Sequence, residues 1–266
     1  MALITLTTDF GTRDPYVAQL KAVLYAGSPS GTQVVDLSHE LPAQNVREAA
    51  LFVEAALPRF PAGTIHVVVI DPGVGSVRRP IAVRARGQLC VGPDNGVLSQ
   101  LFDAELSAVE LDPTRLGVAQ LSATFHGRDL FAPAAAALAS GRPLAELGRT
   151  LDPRSAELKV ADLPKPTREG AGLVGEVLQI DRFGNLITNL ATADLEAFMR
   201  EAPARSYAIT LRAKSCRLVN HYAEVPEGCL LALVGSAQRL EVAARNASAA
   251  ELLSARLGDR VRLESV

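Results

Sequence analysis

The chain has 266 residues, of which 48% are hydrophobic, and a formal net charge of −2. This length and apolar fraction can supply the cores of two modest domains. Because the charges are mixed in sign and no basic block occurs, we expect no nucleic-acid partner. No apolar run reaches the length of a membrane span and no signal peptide precedes the first predicted strand, so we expect a cytoplasmic protein without a membrane partner.

The first part of the chain alternates between strand and helix patterns. Residues 65–70 are mostly apolar and β-branched, which predicts a strand buried on both faces. Asn45 with Glu48 forms a capping box that begins a helix. The predicted elements are strand 2–7, helix 16–25, strand 33–37, a helix from 45, strands 65–70, 80–85, 88–91 and 108–111, and an alanine-rich helix ending near 140. This alternation predicts an α/β domain over residues 1–150 with a doubly wound, mostly parallel sheet.

The second part of the chain has a different pattern. Residues 151–172 contain three prolines and no regular period, which predicts a linker. The short alternating segments beyond it are typical of a small antiparallel barrel or sandwich. The predicted strands are 173–180, 186–190, 207–211, 229–234, 240–244 and 261–263. With one helix after Thr192 and another beginning at Ser248, residues 173–266 are predicted to form a smaller C-terminal β-barrel domain.

Polar residues follow several strands of the predicted parallel sheet. The strand at 65–70 ends on Asp71, which a glycine-rich turn follows. In open α/β sheets, ligands bind at the carboxyl ends of the strands. Asp9, Asp94 and His126 follow other predicted strands, so we expect the four side chains to lie along one edge of the sheet. An Asp-Pro-Gly sequence also makes an ordinary turn, so the residues alone leave a purely structural interpretation open.

Carboxylates gathered in this way can hold Mg²⁺ or Ca²⁺, bind ribose hydroxyls or orient a water molecule. The four histidines never pair at ligand spacing, which argues against a transition-metal site. Gly73 and Gly75 half match the dinucleotide fingerprint. However, Arg78 replaces the third glycine, and Pro80 prevents the helix that would hold a pyrophosphate. We therefore expect no NAD binding.

In the second domain, Gly184 breaks a predicted strand, with Phe183 before it and Asn185 after it. Phenylalanine offers a stacking face, and an asparagine side chain can pair with the donor and acceptor edge of a purine. Because Phe-Gly-Asn is also a good turn sequence, purine binding is one of two interpretations.

Six short motifs occur in order along nearly the whole chain. They are Thr8 to Thr12, Asp71 to Gly75 with Arg78 to Pro80, Pro93 to Gly96, Thr124 to Asp129, Asp181 to Asn185, and Gly235-Ser236 with Arg245-Asn246. Together they resemble the S-adenosyl-L-methionine hydroxide adenosyltransferase family, whose members are relatives of the fluorinase and chlorinase. The resemblance implies hydrolysis of S-adenosyl-L-methionine to adenosine and L-methionine without a cofactor or metal. It also implies an α/β domain, a β-barrel, and a homotrimer with sites between subunits.

The resemblance further implies roles for particular residues. Asp71, Arg78 and His126 match the set that activates the attacking water, and Asp9 matches the carboxylate that holds the ribose hydroxyls. The matching substrate contacts of the second domain are Asp181 for the methionine ammonium, Phe183 and Asn185 for adenine, Ser236 for the methionine carboxylate, and Asn246 in the tail. The tail departs from the family pattern, in which an Asn-Asn pair is frequent at the position of Arg245-Asn246.

Three alternatives use the same residues. In a halogenase of the same superfamily, an aromatic and a hydroxyl-bearing residue replace the water-activating set and a serine holds the halide. The corresponding positions here are Asp71 and Gly127, so a desolvated halide would face a carboxylate, which favours hydrolysis. A Mg²⁺-dependent phosphohydrolase would use Asp9, Asp71 and Asp94 as ligands. A non-catalytic nucleoside-binding protein would bind without turnover.

Overall fold

The computed structural model describes residues 1–153 and 158–266 of the chain. The chain divides into two compact units, Met1–Asp162 and Leu163–Val266. Residues 154–157, which belong to the predicted linker, lie outside the described residues. Among the described residues, no helix is both long enough and apolar enough to cross a membrane.

The first unit is built on a seven-stranded sheet. Its strands are β1 (Leu3–Thr8), β2 (Gln33–Ser38), β3 (Ile65–Val69), β4 (Pro80–Ala85), β5 (Gln88–Pro93), β6 (Ser107–Leu111) and β7 (Gly148–Leu151). Their order across the sheet is β2-β1-β3-β5-β4-β6-β7. Strands β2, β1, β3 and β5 pair in parallel, whereas β4, β6 and β7 form an antiparallel edge. The predicted α/β domain with a largely parallel sheet is confirmed.

Helices cover both faces of this sheet. They are α1 (Tyr16–Gly27), α2 (Val46–Ala56) and α3 (Ala132–Ala139). Successive residues of a strand point to opposite faces, so β3 contributes to two cores. Val67 and Val69 belong to the core that contains residues of α1 and α3, whereas Val68 and Ile70 belong to the core that contains residues of α2. This arrangement is that of a doubly wound sheet.

The connections after the strands place the polar residues of the first unit. Asp9 comes directly after β1, and Asp71 follows β3 after one intervening residue. His126 precedes a π-helical turn, Gly127–Phe131, which continues into α3. The start of α2 is set by Asn45, whose side-chain oxygen accepts a hydrogen bond from the backbone N–H of Glu48 at 3.1 Å.

The second unit is a barrel-like antiparallel sheet. Its strands are β8 (Thr167–Glu169), β9 (Gly172–Ile180), β10 (Leu186–Ala191), β11 (Tyr207–Leu211), β12 (Lys214–Arg217), β13 (Leu230–Val234), β14 (Arg239–Ala244) and β15 (Arg260–Ser265). The order is β12-β11-β15-β9-β10-β14-β13, and β8 pairs with β9. A bridge between Leu218 and Ala232 brings the chain after β12 to β13, so the sheet nearly closes. Its helices are α4 (Thr192–Glu201) and α5 (Ala249–Leu253). The predicted β-barrel class is confirmed.

Three strands have no counterpart among the predicted elements. Strands β7, β8 and β12 contain four, three and four residues. Segments this short carry no readable alternation of apolar and polar residues, so their pairing depends on the neighbouring strand. Strand β8 lies within the predicted linker and pairs with β9.

Candidate active site

The first unit contains a cavity of about 180 Å³ at the carboxyl ends of β1 and β3. The residues that line it are Asp9, Phe10, Gln44, Val69, Asp71, Val74, Thr124, Phe125, His126 and Gly127. The structure therefore brings together three of the four polar residues that the sequence places after strands, namely Asp9, Asp71 and His126.

Asp71 forms a bidentate ion pair with Arg78. The Nε of Arg78 donates to Asp71 Oδ1 at 2.9 Å and to Oδ2 at 3.0 Å, and its Nη2 also donates to Oδ2. Only 9% of the Arg78 side chain and 5% of the Asp71 side chain are exposed. Arg78 is not among the described residues that line the cavity. Its guanidinium carbon lies 5.4 Å from the ring centre of Phe131, so Arg78 supports Asp71 from the core side.

His126 is tied to the same guanidinium, because Arg78 Nη2 lies 2.7 Å from His126 Nδ1. An arginine nitrogen can only donate, so His126 Nδ1 accepts and the proton of the neutral ring is assigned to Nε2. Burial, and then the charge of Arg78, lower the pKa of His126 below its ordinary 6.5, against smaller opposing effects of Asp71, Asp129 and Ser122. The ring is therefore neutral at neutral pH.

The turn after β3 holds the carboxylate and the imidazole close to this guanidinium. Gly75 has a φ of +76°, and a Cβ at this position would lie 2.3 Å from the carbonyl oxygen of Ala123. Glycine adopts this angle without strain, and only a residue without a Cβ permits so close an approach. The turn therefore packs directly on the segment that leads to His126, and this contact explains the glycine of the motif.

Asp9 occupies another part of the cavity wall. Its Oδ2 accepts a hydrogen bond from the backbone N–H of Gln44 at 2.7 Å. Phe10 and Phe125 form an apolar wall, with their ring centres 5.7 Å apart in an edge-to-face arrangement. None of these three neighbours, Gln44, Phe10 and Phe125, is among the site residues predicted from the sequence. The position of Phe10 beside Asp9 in a motif was an available signal, whereas the role of Gln44 depends on a backbone angle that the sequence does not display.

The expectation that all four polar residues lie together is wrong for Asp94. It is not among the described residues that line the cavity. Arg79 donates to its Oδ2 through Nε at 3.0 Å and Nη2 at 2.6 Å, and the Lys159 backbone N–H donates to its Oδ1 at 2.8 Å. A Cβ on Gly96 would lie 2.6 Å from the Ala161 nitrogen. The motif from Pro93 to Gly96 therefore packs against residues 159–161 and holds them in place. Within residues 1–153 and 158–266, no group of three or more His, Cys, Asp or Glu could hold a metal ion.

The second unit contains two adjoining cavities, of about 580 and 420 Å³, which share Phe183, Asn185 and Tyr222 in their walls. Asn246 also lines the larger cavity, and Asp181 and Ser236 also line the smaller one. Every residue that the resemblance assigns to this unit therefore borders one of the two cavities.

A tight turn presents Phe183 to these cavities. Asp181 Oδ1 accepts the backbone N–H groups of Phe183 at 2.9 Å and Asn185 at 2.8 Å, and its Oδ2 accepts the Asn185 side-chain amide at 2.9 Å. The Phe183 side chain remains 76% exposed. The turn interpretation is thus correct, and the same turn leaves an aromatic face open to a ligand.

Glu241 and Tyr222 also line the smaller cavity, and neither is among the site residues predicted from the sequence. Glu241 lies in β14 and is 9% exposed. Burial, and then the charge of Asp181, raise the pKa of Glu241, and a hydrogen bond with Tyr222 partly offsets the rise. A Cβ on Gly235 would lie 1.6 Å from a Glu241 carboxylate oxygen, so this glycine leaves room for the carboxylate. A charged residue between the apolar residues Leu240 and Val242 of this strand was the available signal.

The fold and the cavities of the two units define an enzyme with an α/β domain and a β-barrel domain. In the α/β domain, buried polar groups lie at the ends of parallel strands. The chain belongs to the SAM hydroxide adenosyltransferase family. The family's N-terminal domain matches residues 4–148, and its C-terminal domain matches residues 175–262.

Similar proteins cover nearly the whole chain. A protein of Thermus thermophilus named (R)-S-adenosyl-L-methionine hydrolase is 43% identical over 99% of this chain and 100% of its own length. A protein of Salinispora tropica with the same name is 38% identical over 98% of this chain and 97% of its own. A fluorinase of an Actinoplanes species is 33% identical over 73% of each chain. A crystal structure of an uncharacterized conserved protein from Thermotoga maritima has a TM-score of 0.85 and 32% identity, over 98% of this chain and 99% of that one.

Proposed function

We propose that this protein hydrolyses S-adenosyl-L-methionine to adenosine and L-methionine. The observation that carries the proposal is the buried network of Asp71, Arg78 and His126 beside the cavity that Asp9 lines. The names of the similar hydrolases support it as well. The proposed reaction uses no cofactor or metal, because the leaving group is a neutral thioether that needs neither a general acid nor a Lewis acid.

In the proposed reaction, the oxygen of a water molecule attacks C5′ of the ribose. The O–C5′ bond forms while the C5′–S bond breaks, and the electron pair of the broken bond neutralises the sulfonium. The enzyme has to place the water in line with the breaking bond. Asp71 accepts a hydrogen bond from the water and then its proton, which passes to solvent, while the neutral ring of His126 donates from Nε2 to the water oxygen. Arg78 holds both groups in position.

The remaining residues are proposed to bind the substrate. Asp9 accepts the ribose hydroxyls, as expected of an acceptor-only carboxylate in the same cavity. Phe183 stacks on adenine through its exposed face, and Asn185 pairs with the purine edge. Asp181 binds the methionine ammonium, Ser236 binds the methionine carboxylate, and Asn246 borders the adenine. The Asn246 side chain already donates to Glu227 at 2.9 Å, as the Asn185 side chain does to Asp181, so each amide keeps one N–H and its oxygen for the adenine.

The decisive experiment is incubation of the purified protein with S-adenosyl-L-methionine, followed by mass spectrometry. We expect adenosine and methionine in equal amounts, with activity unchanged after EDTA treatment. Activity that EDTA abolishes and Mg²⁺ restores would instead indicate the phosphohydrolase, although Asp94 is committed to Arg79. Tight binding of adenosine without release of methionine would indicate a nucleoside-binding protein.

Halogenation is the nearest alternative, because the chain is also similar to fluorinases. The Asp71 carboxylate argues against it, because Asp71 lines the cavity whereas its partner Arg78 is not among the described residues that do, so a desolvated halide would face a carboxylate. We expect addition of chloride or fluoride to give no halogenated nucleoside. If 5′-halo-5′-deoxyadenosine is the main product, the hydrolase proposal is wrong.

We further propose a homotrimer in the cytoplasm, with each site formed by the first unit of one subunit and the second unit of its neighbour. A head-to-tail interface that closes into a ring produces such sites. The test mixes inactive Asp71→Ala and Asn185→Ala variants under conditions of subunit exchange. Random mixing should restore about a quarter of the sites if the halves come from different chains. No recovery, with exchange confirmed, would mean that each chain builds its own site.

A further inference from the structure

The backbone of Gln44 has a conformation that glutamine rarely adopts. Its φ is +63°, in the left-handed region that disfavours L side chains. Gln44 is the third residue of a turn in which the Asn45 N–H donates to the Pro42 carbonyl at 3.1 Å, and a positive φ at that position normally selects glycine or asparagine. Because Asn45 also caps α2, the surrounding structure imposes the angle against the preference of the residue.

This angle sets the direction of the Gln44 N–H, which donates to Asp9 Oδ2 at 2.7 Å. In the described part of the chain, no hydrogen bond is made to the other oxygen, Asp9 Oδ1. A carboxylate with one oxygen fixed by a backbone donor presents the lone pairs of its other oxygen in a defined direction. Both Gln44 and Asp9 line the cavity that also contains Asp71 and His126.

We propose that Gln44 is a positioning residue, whose strained backbone fixes Asp9 so that Oδ1 accepts a ribose hydroxyl of the nucleoside. The inference rests on the proposed function and extends it. It explains the orientation of Asp9 by the backbone angle of Gln44, which lies in another segment of the chain. Strained backbone conformations are maintained where the surrounding fold supports them, and they cluster at functional sites.

The test compares two substitutions of the same residue. Gln44→Val places a β-branched side chain where φ is positive, which displaces the N–H, whereas Gln44→Gly keeps both the angle and the donor. We expect Gln44→Val to raise KM for S-adenosyl-L-methionine and the adenosine dissociation constant about tenfold, with kcat nearly unchanged. Gln44→Gly should behave like the wild type. If Gln44→Gly is as defective as Gln44→Val, the side chain carries the role and the proposal is wrong.

Arg86 provides a matched control in the same unit. It also has a positive φ, +51°, and its backbone N–H also donates to an aspartate Oδ2, that of Asp103, at 2.7 Å. Arg86 and Asp103 are not among the described residues that line the cavity. Arg86→Val should therefore introduce the same kind of strain without changing the binding of adenosine. Equal losses in Arg86→Val and Gln44→Val would attribute the effect to general destabilisation and overturn the proposal.

A double-mutant cycle gives the second readout. If Gln44 acts through Asp9, then Gln44→Val should add nothing to the adenosine affinity lost in Asp9→Ala. Additive losses would contradict the proposal. If the wild-type protein turns over S-adenosyl-L-methionine and Gln44→Val changes neither KM nor the adenosine dissociation constant, this inference alone is wrong. A wild-type protein without turnover or adenosine binding would overturn the proposed function, and this inference with it.

Discussion

The cavities of the two units differ in how their walls are fixed. The first-unit cavity is about 180 Å³ in volume, and Asp71 and His126 in its wall are held in one buried network by Arg78. The second-unit cavities are about 580 and 420 Å³, and the Phe183 side chain in their walls is 76% exposed. Buried charges in fixed positions suit a chemical step, because they need no rearrangement in the transition state. An exposed aromatic face suits recognition, because a ligand covers it on binding.

The strongest test of this division is His126→Ala. We expect kcat to fall about 10²- to 10⁴-fold, because the hydrogen-bond donor that orients the attacking water for proton transfer is lost, while KM changes little. Steady-state kinetics with S-adenosyl-L-methionine measures both parameters. His221→Ala is the control, since His221 lines a second-unit cavity and should change KM more than kcat. A His126→Ala variant with near-full turnover would contradict the assignment of chemistry to the first unit.

The converse test is Phe183→Ala. Loss of an aromatic stacking platform costs about 1–3 kcal/mol per base, which corresponds to roughly 5- to 150-fold in KM or in the adenosine dissociation constant. We expect kcat to stay close to the wild-type value at saturating substrate. Phe183→Tyr keeps the stacking face and should keep the affinity. If Phe183→Ala lowers kcat instead, the second unit takes part in the chemical step and the division fails.

The pH dependence of the reaction sharpens the comparison further. The pKa of His126 is lowered by burial and by Arg78, so the ring stays neutral as the pH falls through the ordinary histidine range near 6.5. We therefore expect kcat/KM to remain level to a pH below that range and then to fall, because protonation of Nδ1 breaks its contact with Arg78. The pH profile of kcat/KM measures this directly. A decline centred above pH 6.5 would contradict the described environment of His126.

The smallest expected effect concerns the stability of the second unit. The pKa of Glu241 is raised in the fold, so its contribution is favourable below the unfolded-state pKa and is lost as the pH rises through the folded-state pKa. At neutral pH the buried carboxylate is destabilising, and Glu241→Gln removes its charge. We expect a higher Tm at pH 7, by about 2–4 °C for each kcal/mol gained, and a difference that shrinks toward pH 4.

Thermal unfolding at several pH values checks this prediction. Glu196→Gln is the matched control, because Glu196 is exposed on α4. If Glu241→Gln lowers Tm at neutral pH, the hydrogen bond with Tyr222 outweighs the cost of the buried charge.

Much of the fold is determined by local pattern. Residues 65–70 are apolar except for His66, so they must be covered on both faces, and the structure places Val67 and Val68 in two different cores. The alternating segments after residue 173 require one buried and one exposed face, which antiparallel pairing provides. Strands such as β7, with four residues, lacked enough pattern to be predicted, because their pairing is fixed by neighbours distant in sequence.

Which chemical groups follow the strands could be predicted from the order of residues, because the end of a strand is a local property. Which of these groups share a cavity depends on how the strands and helices pack in three dimensions. Asp71 and Asp94 both follow strands, yet Asp71 borders the cavity with His126, whereas Asp94 is bound by Arg79 and the Lys159 backbone. The orientation of Asp9 likewise depends on the backbone of Gln44, 35 residues away. Hydrogen bonds across such distances follow from the packing of whole elements, and no short stretch of sequence encodes them.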